Sequence, residues 1–261
     1  EAHLLRTSGP AHPHFVTLHN TRALALAQQA DFDGALAEIE RAKRANRYDR
    51  PGVFQQVVHI DNLLTTLTGA AEIWRSRSDL EHARTALLEA YAGVAYLRAA
   101  PLDPGSKAAI NSRVFPLHEA LIATEMALFQ KDQQEAHRRE AFRFAESAKS
   151  FNLLLAVRNS GADRFAGLPP HIAEQERTLE ANIKNLEKQR FAVESQLPLD
   201  EVVLDSLLDL LVAKKDAYRA LQQHIRQQEP NYYALKYQPP AETVESAQTL
   251  LSPTQTLLEY F

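Results

Sequence analysis

The stretch FVTLHNTRALALAQQADFDGALAEIERAKRAN, residues 15–46, contains two apolar helical patterns separated by turn-forming residues. The first pattern predicts a helix from about Phe15 to Gln29, because its apolar residues recur along one helical face. The residues ADFDG then predict a turn. The second pattern places three residues at positions i, i+4 and i+7, which share one face of a helix: Ala35, Ile39 and Ala42. The stretch therefore predicts a helical hairpin whose neighbours approach closely over small side chains.

The same plan recurs twice further along the chain. Residues 56–99, which begin QVVHIDNLL, predict a helix ending at Trp74, a turn at SRSD and a second helix lined by Ala83, Leu87 and Ala90. The sequence AAPLDPGS at residues 99–106 predicts an inserted loop. Residues 114–158 predict a third hairpin, whose second helix carries Ala141, Ala145 and Ala148. Three successive hairpins indicate an all-α repeat region over residues 1–160.

This signature of small residues resembles the tetratricopeptide repeat (TPR), whose second helix shows an Ala–x3–Phe/Tyr–x2–Ala pattern. The resemblance covers about residues 13–158 as three degenerate repeats. Ala35 and Ala83 are 48 residues apart, and Ala83 and Ala141 are 58 apart, so we expect longer helices or loops than the TPR period of about 34 residues requires. An antiparallel helical bundle with small residues at its crossings would show the same pattern, and that alternative stays open.

The sequence changes character after the third hairpin. RNSGADRFAGLPP contains two glycines and two prolines and interrupts the array, and Pro169 and Pro170 are tolerated at the start of a new helix. Along residues 171–197 apolar side chains recur every seven positions, with others between them: Ile172, Leu179, Leu186 and Val193, then Ile183 and Leu197. Polar Glu176 and Arg190 take the remaining intermediate positions of this pattern.

A second heptad pattern follows almost immediately. LPLD at residues 197–200 separates the two, and Asp200 is a good helix N-cap. The second pattern consists of Leu204, Leu211, Tyr218 and Ile225, with Leu207 and Leu221 between them and Lys214 as the exception. Two heptad helices joined by so short a link predict an antiparallel coiled-coil hairpin over residues 168–230, with arms of roughly 40 Å at about 1.5 Å per residue.

Residues 231–261 predict a linker, a short helix and one strand. Pro230 ends the second arm, and three tyrosines then predict an aromatic group: Tyr232, Tyr233 and Tyr237. A short helix is expected at about residues 241–251. The final stretch LSPTQTLLEYF alternates like a strand, and a strand needs a neighbour for its backbone groups. We therefore expect it to be the first strand of a C-terminal domain beyond Phe261, in a protein of which this chain is a piece.

The order of these segments resembles the N-terminal regulatory part of bacterial TPR–CHAT proteins, which carry a caspase-like protease domain behind their repeats. The resemblance rests on the last repeat helix AFRFAESAKSFNLLLAV, on GLPPHIAEQERTLEANIKNLEKQ, on RQQEPNYYALKY and on TVESAQTLLSPTQTLLEYF, which together span roughly residues 140–261. In that family the LLEYF-like segment opens the protease domain. Its catalytic His and Cys belong to that domain, and this chain has no cysteine, so no catalytic residue is carried over.

Composition excludes several classes of function. A net charge of −4 gives no general attraction to nucleic acid or anionic membranes, and no apolar run is long enough to span a bilayer. Without cysteine the chain has no disulfide and no thiolate catalysis. No signal peptide is visible, and we expect a cytoplasmic protein without membrane or nucleic-acid partners.

Histidines near the start of the chain raise one catalytic alternative. His3, His12, His14 and His19 are potential zinc or nickel ligands, which would suit a metal-dependent enzyme. Their spacing shows neither the ligand count nor the acidic partners of a metal site. HEALIATE at residues 118–125 lacks the second histidine of a metalloprotease helix. We therefore predict no catalytic residue, no metal and no cofactor.

The concave groove of the repeat array is the predicted working surface. In TPR arrays the first helix of each pair lines this groove, which gives Thr17 and the candidate partner-binding residues Asn20, Leu24, Gln28, Thr65, Thr68, Glu72 and Arg75. The Lys and Asn set that clamps a carboxylate in some TPR proteins is absent here. We predict that the groove binds a protein or extended peptide and that the module controls its own C-terminal caspase-like domain. The alternative is a stand-alone scaffold or adaptor that recruits partners to a different signalling domain.

Overall fold

The computed structural model describes residues 14–100, 104–159, 168–196, 199–237, 243–252 and 254–256. Within these residues the chain forms helices and no strand, which confirms the all-α prediction. No helix of the described part is both long enough and apolar enough to cross a membrane. The chain divides into two compact units, of which the first comprises residues 1–110 and 169–224 and the second residues 111–168 and 225–261.

Ten helices lie in the described part of the chain. In order they are α1 His14–Gln28, α2 Phe32–Ala45, α3 Ile60–Ser76, α4 Leu80–Ala99, α5 Pro104–Asp132, α6 Glu135–Asn159, α7 Pro170–Glu194, α8 Glu201–Gln228, α9 Pro230–Tyr237 and α10 Val244–Thr249. Helix α5 begins inside the predicted 99–106 loop, because Pro104 starts a helix readily. Residues 101–103 of that loop lie outside the described residues.

The first unit contains two helical hairpins packed in series. Helix α1 packs on α2, α3 packs on α4, and α3 also contacts both α1 and α2. The small-residue faces predicted for α2 and α4 are buried: Ala35, Ile39, Ala42, Ala83, Leu87 and Ala90. Asp31 and Asp79 cap α2 and α4 by accepting hydrogen bonds from the backbone N–H groups of Gly34 and His82. The predicted pairing of first and second helices is therefore confirmed for these two hairpins.

A non-helical segment, residues 46–59, joins the two hairpins. The predicted second repeat began at Gln56, whereas α3 begins at Ile60. The reason is packing: the segment buries its own apolar side chains, including Tyr48, Phe54, Val57 and Val58, so its apolar pattern does not mark a helix. This segment supplies the extra length that the wide spacing of the first two repeats required.

Helices α7 and α8 pack against each other with opposite chain directions. The Tyr218 hydroxyl donates to Glu180 Oε1 over 3.1 Å, whereas Lys215, earlier on α8, pairs with Glu187, later on α7. Ile183 packs with Leu211 and Tyr218. The predicted apolar positions of α8 are all buried: Leu204, Leu207, Leu211, Tyr218, Leu221 and Ile225. The antiparallel pairing is thus observed, and a supercoiled hairpin over residues 168–230 stays a prediction.

Both predicted start signals of these helices are confirmed. Helix α7 begins at Pro170. Asp200 caps α8, because its Oδ1 accepts the Val203 N–H over 3.0 Å. On α7 Ile172 and Ile183 are buried, while Leu179, Leu186 and Val193 are half-buried. Leu197 lies outside the described residues.

The second unit contains the turn between α5 and α6 and the two short helices that contact α6. His137 at the start of α6 lies 2.6 Å from Glu125 Oε2 of α5, and Glu125 is fully buried. The Glu125 hydrogen bond raises the pKa of His137, and the Asp132 charge adds to this shift against the opposing effect of burial. The predicted small-residue face of α6 is buried: Ala141, Ala145 and Ala148.

The tyrosine group lies on α9, which begins at Pro230 directly after α8 ends. Tyr232 and Tyr237 are buried. The Tyr233 and Tyr237 ring centroids are 5.3 Å apart, and the Lys236 ammonium lies 5.6 Å from the rings of both Tyr232 and Tyr237. The predicted aromatic group is therefore present within this unit.

The predicted C-terminal strand is not seen in the residues that are described. Thr254–Thr256 form a turn and irregular backbone, because Gln255 N–H donates to the Ser252 carbonyl and Gln255 Oε1 accepts from Ser252 N–H. Leu257–Phe261 lie outside the described residues, so a strand there stays a prediction.

Two glycines in the first unit offer a test of the close helix packing. A Cβ at Gly69 of α3 would meet Ile39 at 3.8 Å, an ordinary contact, whereas a Cβ at Gly93 of α4 would lie 3.0 Å from Leu64. We expect Gly69→Ala to raise the free energy of unfolding by roughly 0.5–1 kcal/mol, because alanine favours helix over glycine. Gly93→Ala should raise the free energy of unfolding clearly less than Gly69→Ala does, or should lower it. Urea denaturation of both variants measures the difference, and equal stabilisation would show that Gly93 is not crowded.

Candidate functional site

The seven predicted groove residues lie on the solvent-facing side of α1 and α3. Each is exposed or half-buried: Asn20, Leu24, Gln28, Thr65, Thr68, Glu72 and Arg75. Leu24 is 55% exposed, which is unusual for a large apolar side chain in a packed hairpin. Thr17, the remaining predicted position, is exposed as well. The row therefore consists of side chains that another molecule is able to reach.

A hydrogen bond joins the two halves of this row. The Thr66 hydroxyl lies 2.9 Å from Asn20 Oδ1 and also donates to the Asn62 carbonyl of its own helix. Thr66 is fully buried. It was not among the predicted groove residues, because its neighbour Thr65 occupied the predicted groove-facing position. The Asn20 contact adds a polar bond to the packing of α1 against α3.

Of the four N-terminal histidines, the structure shows His19 as part of the packing between α1 and α2. His19 Nδ1 lies 2.7 Å from Glu38 Oε2, and both side chains are buried between α1 and α2. Burial alone would raise the pKa of Glu38, but the His19 hydrogen bond and the charges of Arg22 and Arg41 outweigh it and lower that pKa. His14 is exposed, and His3 and His12 lie outside the described residues. No group of three or more potential metal ligands occurs among the described residues.

The HEALIATE stretch is likewise part of a packed helix. His118 Nδ1 lies 2.7 Å from the Val114 carbonyl oxygen, so this nitrogen carries the proton and donates. Glu125 Oε2 lies 2.6 Å from His137 Nδ1, within hydrogen-bond distance. Both His118 and Glu125 are fully buried, which removes them from any solvent-accessible site.

A cavity of about 600 Å³ in the first unit was not predicted from the sequence. It lies between the end of the 46–59 segment, the first turn of α3, the last turn of α4 and one face of α7. Its walls are mainly apolar and include Phe54, Val58, Ile60, Leu97, Ile183 and Phe191. A cavity of this size is within the range of small-molecule sites.

Charged side chains of α7 and α8 form one end of this cavity. Arg190 donates to the Val58 carbonyl oxygen and lies 2.9 Å from Glu187 Oε2. Lys215 of α8 reaches Glu187 Oε1 at 2.7 Å. Burial alone would raise the pKa of Glu187, but Lys215 and Arg190 outweigh it and lower that pKa. Glu187 therefore stays ionised, and its charge is neutralised by its two cationic neighbours.

His59 extends this network to the end of α7. Its Nδ1 lies 3.3 Å from Arg190 Nη1, and its Nε2 lies 3.1 Å from Glu194 Oε1. The His59 ring thus lies between the Arg190 guanidinium and the buried Glu194 carboxylate, although His59 Nε2 and Glu194 Oε1 make no hydrogen bond within the described residues. Arg190 occupied a polar position in the predicted heptad pattern, and that exception was the signal for a contact outside the α7–α8 pair.

Two cations at the cavity are not engaged in this network. Lys184 and Lys188, one helical turn apart on α7, are exposed, and neither has an ion pair within the described residues. Beside them Phe191 is 70% exposed. Tyr96 also lines the cavity, and its burial, together with Glu187 and Asp216 and against Arg219, raises its pKa to about 12. The tyrosine is therefore an uncharged hydrogen-bonding group at neutral pH.

Comparisons of this chain with protein-family models, curated proteins and solved structures found no match. The assignment of function therefore depends on the geometry and on the sequence patterns.

The Arg190 network can be tested against an exposed pair on the same helix. Arg190→Ala leaves Glu194 buried and removes one of the two neutralising partners of Glu187, so we expect a loss of about 2–4 kcal/mol in the free energy of unfolding. Arg177→Ala removes the pair with Glu174, in which both side chains are about 70% exposed, and should change stability by less than about 0.5 kcal/mol. Urea denaturation compares them. Similar small effects would show that the network does not stabilise the unit.

Proposed function

We propose that this chain is a non-catalytic protein–protein interaction and regulatory module built on a TPR-like array. The supporting observation is the serial packing of the α1–α2 and α3–α4 hairpins, with buried alanines on the second helices and an accessible row of side chains on the first helices. Serial hairpins of this kind form extended surfaces, because each repeat contacts only its neighbours. An extended peptide or a protein loop is the ligand that such a surface accommodates.

The chemistry of the row favours a partner of mixed polarity. Its seven candidate binding residues are one exposed leucine, two threonines, two amides, one acidic residue (Glu72) and one basic residue (Arg75). Side-chain amides and hydroxyls hydrogen-bond the backbone of an extended segment, while Leu24 offers an apolar contact. Without a cluster of one charge, the row gives no preference for an acidic tail.

The regulatory half of the proposal derives from the resemblance to TPR–CHAT proteins. In this proposal the α7–α8 pair is an antiparallel coiled-coil hairpin, and partner binding on the repeat array changes how a C-terminal caspase-like protease domain is presented. A solenoid suits this role, because ligands shift the populations of its conformations.

The interaction half is tested with peptides selected from a displayed random library on the purified protein. Thr65→Ala combined with Glu72→Ala should weaken binding of selected peptides by about tenfold, a loss equivalent to roughly 1.4 kcal/mol. The matched control is Thr85→Ala with Glu81→Ala on α4. Thr65 and Thr85 each donate to the carbonyl four residues earlier, so both changes remove the same local bond. Peptides that are equally sensitive to both double variants would contradict a site on the first helices.

The regulatory half is tested on the full-length gene product. We expect a protease activity that depends on a catalytic cysteine outside this chain, and we expect deletion of residues 168–230 to change either its basal level or its response to a groove-binding peptide. Measurements of peptide-substrate cleavage decide this. Unchanged activity and unchanged response, or a gene product without such a domain, would contradict the regulatory role while leaving the peptide result intact.

A further inference from the structure

We propose that the 600 Å³ cavity of the first unit binds a small amphipathic anion, with an apolar body and one carboxylate end. This site is separate from the first-helix row and does not depend on the peptide-binding proposal. The lining suggests this ligand. Its walls are mainly apolar, and the ammonium groups of Lys184 and Lys188, which have no ion pair within the described residues, are exposed.

The apolar walls come from four different elements. Phe54 and Val58 come from the 46–59 segment, Ile60 from α3 and Leu97 from α4, and Ile183 and Phe191 of α7 complete the apolar part of the lining. From Ile183 to Phe191 the α7 face runs roughly 12 Å at about 1.5 Å per residue. Burying a saturated chain or an aromatic ring there removes apolar area of both ligand and protein from water. Phe191, 70% exposed, is the wall residue that gains most.

The charges around the cavity favour an anion. The charges of Arg190 and Lys215 are balanced by Glu187 and Glu194, because both cations pair with Glu187 and Arg190 Nη1 also lies 3.7 Å from Glu194 Oε1. Asp61, in the first turn of α3, is the other carboxylate of the lining. Lys184 and Lys188 remain, and an anionic head between two ammonium groups one turn apart gains charge-assisted hydrogen bonds. Against the single charge of Asp61, the two lysines leave an excess of positive charge among the exposed residues of the lining.

A peptide fits this cavity less well than a small amphiphile. A peptide backbone brings several N–H and C=O groups, and each one buried without a partner is costly. Most polar side chains of the lining are charged, with Asn62 as the one side-chain amide, so a buried peptide backbone would meet few neutral hydrogen-bonding partners besides Tyr96. A ligand whose polar atoms are confined to one end meets the lysines with that end and the apolar walls with the rest.

The test is calorimetric titration of the purified protein with decanoate, at low and high salt. We expect one site, with binding that weakens as salt screens the lysines. Lys184→Gln with Lys188→Gln should weaken binding by about tenfold and remove most of the salt dependence. Phe191→Ala should also weaken it without loss of stability, because this side chain is mostly outside the core.

Two controls identify what is being measured. Lys131→Gln with Arg177→Gln removes two exposed cations outside the cavity and should leave decanoate affinity unchanged. Decanamide has the same chain without the charge and should bind at least tenfold more weakly than decanoate to the wild-type protein. Absence of decanoate binding, equal binding of the amide, or insensitivity to the Lys184 and Lys188 changes would overturn the proposal. Binding of a short acidic peptide in place of decanoate would overturn it too and assign the cavity to a protein ligand.

Discussion

The first unit depends on the way Asn46 closes the segment between the two hairpins. This fully buried residue follows the last turn of α2. Its side-chain amide donates to the His59 carbonyl over 2.7 Å and accepts the His59 N–H over 2.8 Å, while its own carbonyl accepts the Val58 N–H. The Asn46 side chain thus bonds both the N–H and the carbonyl of one residue, as the backbone of a neighbouring β-strand would. Because these bonds are partly buried, leaving the backbone groups unpaired would cost about 1–3 kcal/mol each, and the short asparagine amide supplies both the donor and the acceptor.

The closed segment determines where α7 packs. With Val58 held by Asn46, its side chain packs with Leu204 and Leu208 of α8, and its carbonyl oxygen receives Arg190 of α7. Buried ion pairs add little net stability over apolar packing, because desolvation offsets the attraction. Their effect is to exclude other registers, since a shifted α7 would separate Arg190 from the Val58 carbonyl oxygen, Glu187 from Lys215 and Glu194 from His59. The Arg190 network is therefore better understood as the determinant of register than as the main source of stability.

How much of this was predictable differs from one feature to the next. Ala35, Ile39 and Ala42, and their counterparts on α4, were predicted correctly because burial at positions i, i+4 and i+7 follows from helical periodicity alone. Pro170 and Asp200 were correct because start signals act locally. The 46–59 segment was misjudged at its end, since Val57 and Val58 resemble the first apolar turn of a helix, whereas Asn46, more than ten residues earlier, binds the backbone of Val58 and His59. RPGV at residues 50–53 was an available signal, because Pro followed by Gly with a φ of 78° forms a turn. The cavity needed the non-local packing of α7, which no sequence period encodes.

Helix α3 connects the two proposed sites of the first unit. Its first turn contributes Ile60 to the cavity wall, and its exposed face carries Thr65, Thr68 and Glu72 of the predicted groove. Thr66, between them, fixes the helix to Asn20 of α1. A ligand that contacts the start of α3 and a partner that contacts its face both act on one rigid element whose position is set by a few buried polar bonds. If binding at one site changes the preferred position of α3, thermodynamic linkage requires the other site to show the same coupling free energy in return. The proposed small-molecule site and the proposed protein-binding surface thus share one helix, which gives a physical route for binding at one to affect binding at the other.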